Sequence, residues 1–440
     1  MSILPKDAAQ VISNLDPCKV YGKVSKVVGL IAEGKGLSAP VGSLCHIINE
    51  NDAEPVPAEV VGFRDNTLLL MPYDDLRGIQ AGSLIEGSNL PPLFPVGPHL
   101  LGKAFDAFGA PLEADGSAKP TVSLAGQPIY APPPNPMSRP RIHDPLDVGV
   151  RAVNGLLTLG KGQRVAIMAG SGVGKSTLMV MMARYTKADV NVIALVGERG
   201  REVLEFMEKD LGPEGMARSV VVVATSDASP LVRMRAAYAA TAVAEYYRDQ
   251  GKDVLLMMDS VTRFAMAARE VGLSVGEPPT SKGYTPSVFA QLPKLLERAG
   301  RSAKGTITGI YTVLVDGDDF NEPIADSVRS ILDGHLVLTR ELADQAHYPC
   351  IDVLKSISRL MSDVLDKNDV KAARKLQSLM ASYRRMEDMI NIGAYVQGSN
   401  PEVDKAIAMH GPINNFLQQA VEEGCSIEDS LAMMRALAMQ

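Results

Sequence analysis

The chain has 440 residues, enough for two or three domains, and its 46% apolar and 22% charged content is that of a soluble globular protein. A net charge of −7 argues against nucleic acid as a partner. The start, MSILPKDAAQ, turns polar too soon for a secretory signal, and no apolar run approaches the ~18 residues that cross a bilayer, so any membrane role is expected to be peripheral.

Taken in chain order, residues 1–19 carry Ala8, Val11, Ile12 and Leu15 on one helical face, which reads either as a short partner-binding helix or as a frayed terminus. Residues 20–92 hold short β-type runs broken by glycine, KVYGKVSKVVGLIAE, GSLCHII and AEVVGFRDNTLLLMPY, with Asp65-Asn66 as a hairpin signal; they predict a small β-barrel domain. Cys18, Cys45, Cys350 and Cys425 are scattered without a CxxC pair, so a reducing cytoplasm is the simplest setting and zinc is not expected. Seven prolines in residues 126–147, within the 93–355 region read as the core domain, predict an extended connector that by itself reads as a solvent-exposed linker; only the family resemblance given below implies that it packs on the core. From about 148 onward the apolar runs VAIMA, VIALVG, VVVVAT, VLLMMD and IYTVLV alternate with helix-like stretches, the pattern of a parallel sheet covered on both faces.

Residues 356–440 read as a helical domain. Leu376, Leu379, Met380, Tyr383, Met386 and Ile390 share one face, GSNP at 398–401 breaks that helix, and two more helices follow. The Met-rich tail SLAMMRALAMQ reads better as core filler than as a sticky surface for chaperones.

Within the core, AGSGVGKST at 169–177 follows the strand RVAIMA and opens the helix STLMVMMARY, the setting of a phosphate loop. Gly170, Gly172 and Gly174, with Ser171 and Val173 between them, let backbone N–H groups turn onto an anion at a helix N-terminus. Lys175 can reach the β- and γ-phosphates of a nucleotide, and Ser176, followed by Thr177, can put its hydroxyl on Mg²⁺. The strict pattern fails at Ala169 alone. Asp259 ends VLLMMDS and is the second group expected to hold Mg²⁺, usually through water. Glu198 and Arg199 follow VIALVG. They read either as a water-orienting base with a phosphate-facing cation, or as surface charges at the start of a helix.

GERGRE, AGSGVGKS, LLMMDSVTRFA, PPTSKGYTPSVFAQLPKLLERAGR, ADSVRSILDGH and YPCIDVLKSISR together resemble the type III secretion ATPase family, which is related to the catalytic subunits of rotary ATP synthases. Such ATPases typically carry alanine where Ala169 stands. The resemblance covers nearly the whole chain. It implies an α/β fold: a RecA-like P-loop ATPase core with an N-terminal β-barrel domain and a C-terminal α-helical domain, assembled as a homohexamer. It implies Lys175 and Ser176 on phosphate and Mg²⁺, Glu198 as the catalytic glutamate, Asp259 on the Mg²⁺ side, and Arg263 near the γ-phosphate. Tyr348 would stack on adenine and Arg359 would be an arginine finger for the neighbouring subunit; without the resemblance these two read as a core aromatic and a surface charge.

The N-terminal region looks more like the flagellar branch than the virulence-secretion branch. That branch implies a cytoplasmic enzyme peripherally bound at the inner membrane of the flagellar base. Its implied partners are a stator-like regulatory protein at the N-terminus, a central coiled-coil stalk protein, export chaperones and substrates, and the membrane export gate. Three rivals fit less well. The mixed charge of DKNDVKAARKLQSLMASYRRMED argues against a synthase catalytic subunit, and the lack of Trp and scarcity of aromatics before residue 92 argue against an RNA-translocating hexamer. Glu198 argues against a non-catalytic nucleotide-binding subunit.

Overall fold

The computed structural model describes residues 20–48, 54–87, 91–112, 125–315 and 319–440, so the proposed helix carrying Ala8, Val11, Ile12 and Leu15 lies outside the described residues. Six antiparallel strands close the barrel in the order β1-β2-β5-β4-β3-β6: β1 Val20–Val28, β2 Ile31–Lys35, β3 Leu44–Ile48, β4 Val56–Arg64, β5 Thr67–Pro72 and β6 Leu84–Gly87. Val24, Ala32, Cys45, Ile47, Ala58, Val60, Leu70 and Ile85 fill its interior. The β4–β5 turn is Asp65-Asn66, both left-handed at φ 46 and 62, the conformation a two-residue hairpin turn demands. Closure satisfies the strand edges internally, which suits a domain whose runs are too short to form a wide open sheet.

A polar cluster joins the barrel to the core. Glu59 of β4 accepts hydrogen bonds from the Tyr73 hydroxyl and, at 3.2 Å, from that of Tyr130 in the Pro-rich connector. The Arg235 guanidinium lies 4.8 Å from the Phe108 ring centre and donates to Ala107 O at 3.1 Å. Burial raises the Glu59 carboxyl above its usual range in spite of these partners.

Two short antiparallel pairs follow: β7 Leu93–Pro95 with β9 Gly126–Pro128, and β10 Pro145–Leu146 with β11 Leu159–Gly160. The large sheet runs in the order β19-β18-β12-β17-β15-β13-β14-β8. Its strands are β8 Lys103–Phe105, β12 Arg164–Ala169, β13 Val190–Glu198, β14 Ser219–Thr225, β15 Asp253–Asp259, β17 Thr306–Leu314, β18 Gly334–Leu338 and β19 Ile357–Ser358. β16, Gly300–Arg301, pairs beside this path with β17. All neighbours from β18 to β8 are parallel; β16 and β19 are antiparallel.

The five apolar runs are β12, β13, β14, β15 and β17, nearly continuous in burial, as strands covered on both sides must be. The helices of this region are α1 Arg151–Leu156, α2 Lys175–Tyr185, α3 Gly200–Glu205, α4 Gly212–Ala217, α5 Pro230–Asp249, α6 Val261–Ser274, α7 Pro286–Leu296, α8 Pro323–Ile331 and α9 Arg340–Asp344, with a π-helical turn at Phe206–Leu211. Buried alanines of α5, from Ala236 to Ala244, bring that helix close onto β13.

Beneath it, Arg298 and Glu245 form a buried fork-to-fork pair at 3.0 and 2.6 Å, and Arg298 also donates to Ile129 O of the connector at 2.5 Å. The connector thus packs on the core, with Arg139 Nη1 donating to Ala299 O at 3.1 Å.

The C-terminal helices are α10 Met361–Val364, α11 Lys367–Asn391, α12 Pro401–Leu417 and α13 Ile427–Met439. On α11 the expected apolar face is only partly covered. Leu376 and Leu379 are buried, whereas Met380, Tyr383, Met386 and Ile390 are half-buried, with Met380 and Tyr383 packed against the edge of the core. In the tail Met434 is fully buried, but Met433 and Met439 are exposed.

Candidate functional site

The site lies at the C-terminal ends of the parallel strands, where an open α/β sheet leaves a crevice. β12 ends at Ala169 and hands the chain to the loop. Gly172 and Gly174 take φ of 78 and 86, a left-handed backbone that an L side chain would strain. Ala169, by contrast, is strand backbone and tolerates its methyl. Val173 is buried and anchors the loop, while Ser171, Ser176 and Thr177 are exposed at the start of α2. The first turn of α2 presents its free N–H groups and positive dipole end to the crevice.

Three charged side chains converge there. Lys175 contacts the Asp259 carboxylate, and its Nζ stands 4.0 Å from Glu198 Oε1. These side chains are only 12%, 6% and 14% exposed, so the charges interact with little screening from water. Asp259 ends β15, and Thr312 Oγ1 of neighbouring β17 donates to Asp259 Oδ1 at 2.7 Å. Glu198 ends β13 just past a register shift against β14 at Gly197. Gly197 has φ 75, and a Cβ there would meet the Arg263 side chain at 3.1 to 3.3 Å. Arg263 in turn donates from Nη1 to Gly197 O at 2.8 Å. The bulge therefore turns Glu198 inward, and Arg263 props it.

The Glu198 carboxyl is raised above the ordinary glutamate value, first by burial and second by the Asp259 carboxylate, against the opposing pull of Lys175 and Arg263. A carboxylate pushed up in this way is a better proton acceptor near neutral pH.

The Tyr348 ring lies 3.9 Å from where a side chain at Gly174 would begin, and it is half exposed. Two expected site residues stand elsewhere. Arg199 stands just before α3 with a 77% exposed side chain bonded to Glu202 Oε1 at 3.1 Å, the helix-start alternative of the sequence reading. Arg359 is exposed beside Asp333, whose carbonyl accepts its N–H at 3.1 Å. Asp333 bonds Arg164 at the start of β12, so the base of Arg359 lies by the opposite end of that strand from its own phosphate loop.

Sequence reasoning missed Thr312 on Asp259, and it missed Arg340, whose Nη2 donates to Ser171 O at 3.1 Å. Neither has a local signal, because each meets the site through sheet order.

A phosphate loop, a carboxylate at the end of the strand two places away and a glutamate at the end of the next define a nucleoside-triphosphate hydrolase site. Comparison with known proteins agrees. Residues 149–358 match the ATP synthase alpha/beta family, nucleotide-binding domain. Residues 365–436 match the T3SS EscN ATPase C-terminal domain.

The chain is 55% identical to the flagellum-specific ATP synthase of Bacillus subtilis, over 97% of both chains. It is 48% identical to the type 3 secretion system ATPase of Xanthomonas euvesicatoria, over 95% of this chain and 94% of that one. The structure of the assembled ATPase EscN from the enteropathogenic E. coli type III secretion system superposes with a TM-score of 0.88 at 45% identity, over 95% of this chain and all of that one. The chain belongs to the family of flagellum-specific and type III secretion ATPases, and it is an ATPase.

Proposed function

We propose that this ATPase drives flagellar protein export as a homohexameric ring, with each active site completed by Arg359 of the adjacent subunit. The observation that carries the ring is the placement of Arg359: exposed, and with its base by the opposite end of β12 from its own loop, it serves a site only by reaching another chain. A loose phosphoryl transition state is stabilised by positive charge from several sides, and an arginine supplied in trans is worth roughly 10³–10⁵ in rate.

Before nucleotide arrives, Lys175 neutralises Asp259 and Glu198. A γ-phosphate entering the loop competes for the Lys175 ammonium and releases Glu198 to orient and deprotonate the attacking water. Gly170 through Thr177 hold the phosphates by backbone N–H groups, and Tyr348 stacks on the base. Arg263 keeps Glu198 aimed.

Mg²⁺ fits the donors present: the Ser176 hydroxyl and the Asp259 carboxylate are hard oxygen ligands. Among the described residues no group of three His, Cys, Asp or Glu can hold an ion alone, so the remaining ligands would be phosphate oxygens and water. When bound, Mg²⁺ supplies neutralisation of the phosphate charge. Arg199, exposed just before α3, is left to meet phosphate or a neighbouring chain only in the assembled ring.

A solved relative of this fold is described in complex with its central stalk EscO, which supports a stalk partner here. No helix among the described residues is long and apolar enough to cross a membrane. Attachment to the export gate would be peripheral. The regulator at residues 1–19, the chaperones and the export substrates complete the reading.

Mixing tests the shared site. Lys175→Ala chains lack a working loop and Arg359→Ala chains lack a finger; each is inactive alone, and mixed rings regain activity. Mixed rings of confirmed composition with no activity would remove the shared site. Loss of swimming motility on deletion, with other secretion intact, tests the flagellar branch.

A further inference from the structure

Arg359 has a loosely held head and a tightly held base. Its Nη2 lies 3.5 Å from Arg329 O, too long to fix a flexible side chain. Its main chain, however, is gripped from the core. The Arg359 N–H donates to Asp333 O at 3.1 Å, and Gln163 Nε2 donates to the same carbonyl at 3.2 Å. Gln163 Nε2 also donates to Ser358 Oγ at 3.1 Å, and Ser358 Oγ donates to Thr158 O at 2.7 Å.

The Asp333 side chain is held equally well. It accepts the Arg164 N–H, Nε and Nη2, each at 3.1 Å, while the Asp333 N–H donates to Arg164 O at 2.9 Å. Gln163 is fully buried and Arg164 largely so.

Gln163 and Arg164 are consecutive, and Arg164 begins β12, the strand that ends in the phosphate loop. β12 is paired along its length with β17 and over its last four residues with β18, so it moves as a stiff unit. A planar guanidinium fork fixes direction as well as distance.

We infer that Asp333, clamped by Gln163 and Arg164, is the positioning residue for Arg359, and that through β12 it links each subunit's own phosphate loop to the arginine it presents to its neighbour. The inference rests on the reading that Arg359 acts in trans. A rigid shift of β12 on loading the loop carries Asp333, and with it the base of Arg359. Hydrolysis in one subunit is then coupled to the occupancy of the next through a path made of two adjacent residues and one carboxylate.

The test uses the full chain with Asp333→Ala and, separately, Arg164→Lys, which keeps the positive charge but loses the fork. Each lowers kcat about 10- to 100-fold, the cost of misplacing a reacting group by an ångström or so. KM for ATP stays within about twofold, because the chain's own loop is intact. Mixing separates positioning from simple damage. Beside Lys175→Ala chains, which keep a well-placed finger, Asp333→Ala and Arg164→Lys chains recover activity; beside Arg359→Ala chains they do not.

Unchanged kcat in both variants would overturn the inference. So would failure of both to recover beside Lys175→Ala partners that do rescue Arg359→Ala, since the defect would then lie in their own sites. If Arg359→Ala is not rescued either, the trans reading itself falls. Sizing and thermal unfolding check assembly, and if Asp333→Ala fails to fold the Arg164→Lys arm decides.

Discussion

Lys175 sits between two carboxylates, in contact with Asp259 and 4.0 Å from Glu198 Oε1, although the three residues come from the ends of three different elements. On the proposed mechanism the cation is stored in the place where the γ-phosphate arrives, and the glutamate is masked until it does. Lys175→Ala is expected to lose both nucleotide affinity and turnover. Glu198→Gln is expected to keep ATP binding and lose about 10²- to 10⁴-fold in hydrolysis, the range for a general base. Binding of a fluorescent ATP analogue alongside phosphate release separates the two; equal loss of binding in Glu198→Gln would remove its role as base.

The pH profile follows from the raised Glu198 carboxyl. With Glu198 as the proposed base, hydrolysis needs its deprotonated form, so the rate is expected to rise with pH through an apparent pKa above the ordinary 4.5. Arg263 is one of the cations that hold this value down, after Lys175. Arg263→Gln is therefore expected to move the acid limb to higher pH as well as lower the maximum. A limb that stays in place, measured as kcat/KM from about pH 5 to 8 under these conditions, would mean that Glu198 is not the titrating base.

Thr312→Val keeps the shape of β17 and removes the donor to Asp259. The loss of one hydrogen bond to a charged group costs about 1.5–3 kcal/mol at most in stability. Activity is expected to fall roughly 10-fold or more, since an unheld carboxylate no longer meets Lys175 and the metal side in one geometry. Full activity in Thr312→Val would show that Lys175 alone fixes Asp259.

The seat of the C-terminal helices is expected to weaken in acid. His347 and His410 line a cavity between the core and α11–α12, with His410 stacked on Tyr383 at 3.6 Å and bonded to Asn414 at 3.0 Å. Burial lowers both imidazoles below the ordinary 6.5, and the His410 neighbour lowers His347 further. Both fold in the neutral form. The stability they allow is present above pH 6.5 and is lost as pH falls from there through their depressed folded values, because the unfolded chain takes up the protons first. Urea midpoints from pH 8 to 5 are expected to drop less steeply for a His347→Gln, His410→Asn chain, by up to about 1.4 kcal/mol per pH unit for each group. An identical slope in both chains would show that neither histidine titrates on unfolding.

Where the chemistry is contiguous along the chain, it can be read from the residues alone. The phosphate loop is one run of residues between a strand and a helix, so its glycines, Lys175 and Ser176 are legible without a fold. The five buried strands are legible because a strand covered on both faces must be apolar at every position. The Asp65-Asn66 turn is legible because its left-handed backbone depends on two adjacent residues alone.

The groups that strand order brings together could not be read that way. β17 lies between β12 and β15, which puts Thr312 on Asp259, and nothing in the periodicity of either strand encodes that adjacency. Arg199 is a neighbour of Glu198 in sequence yet turns outward, because the bulge at Gly197 and the start of α3 send successive side chains in different directions. Gln163, Arg164, Asp333 and Arg359 span nearly two hundred residues and meet at the far edge of the sheet. Local propensity sets each element, but long-range pairing and burial set which ends meet, and the clamp on Arg359 exists only at that second level.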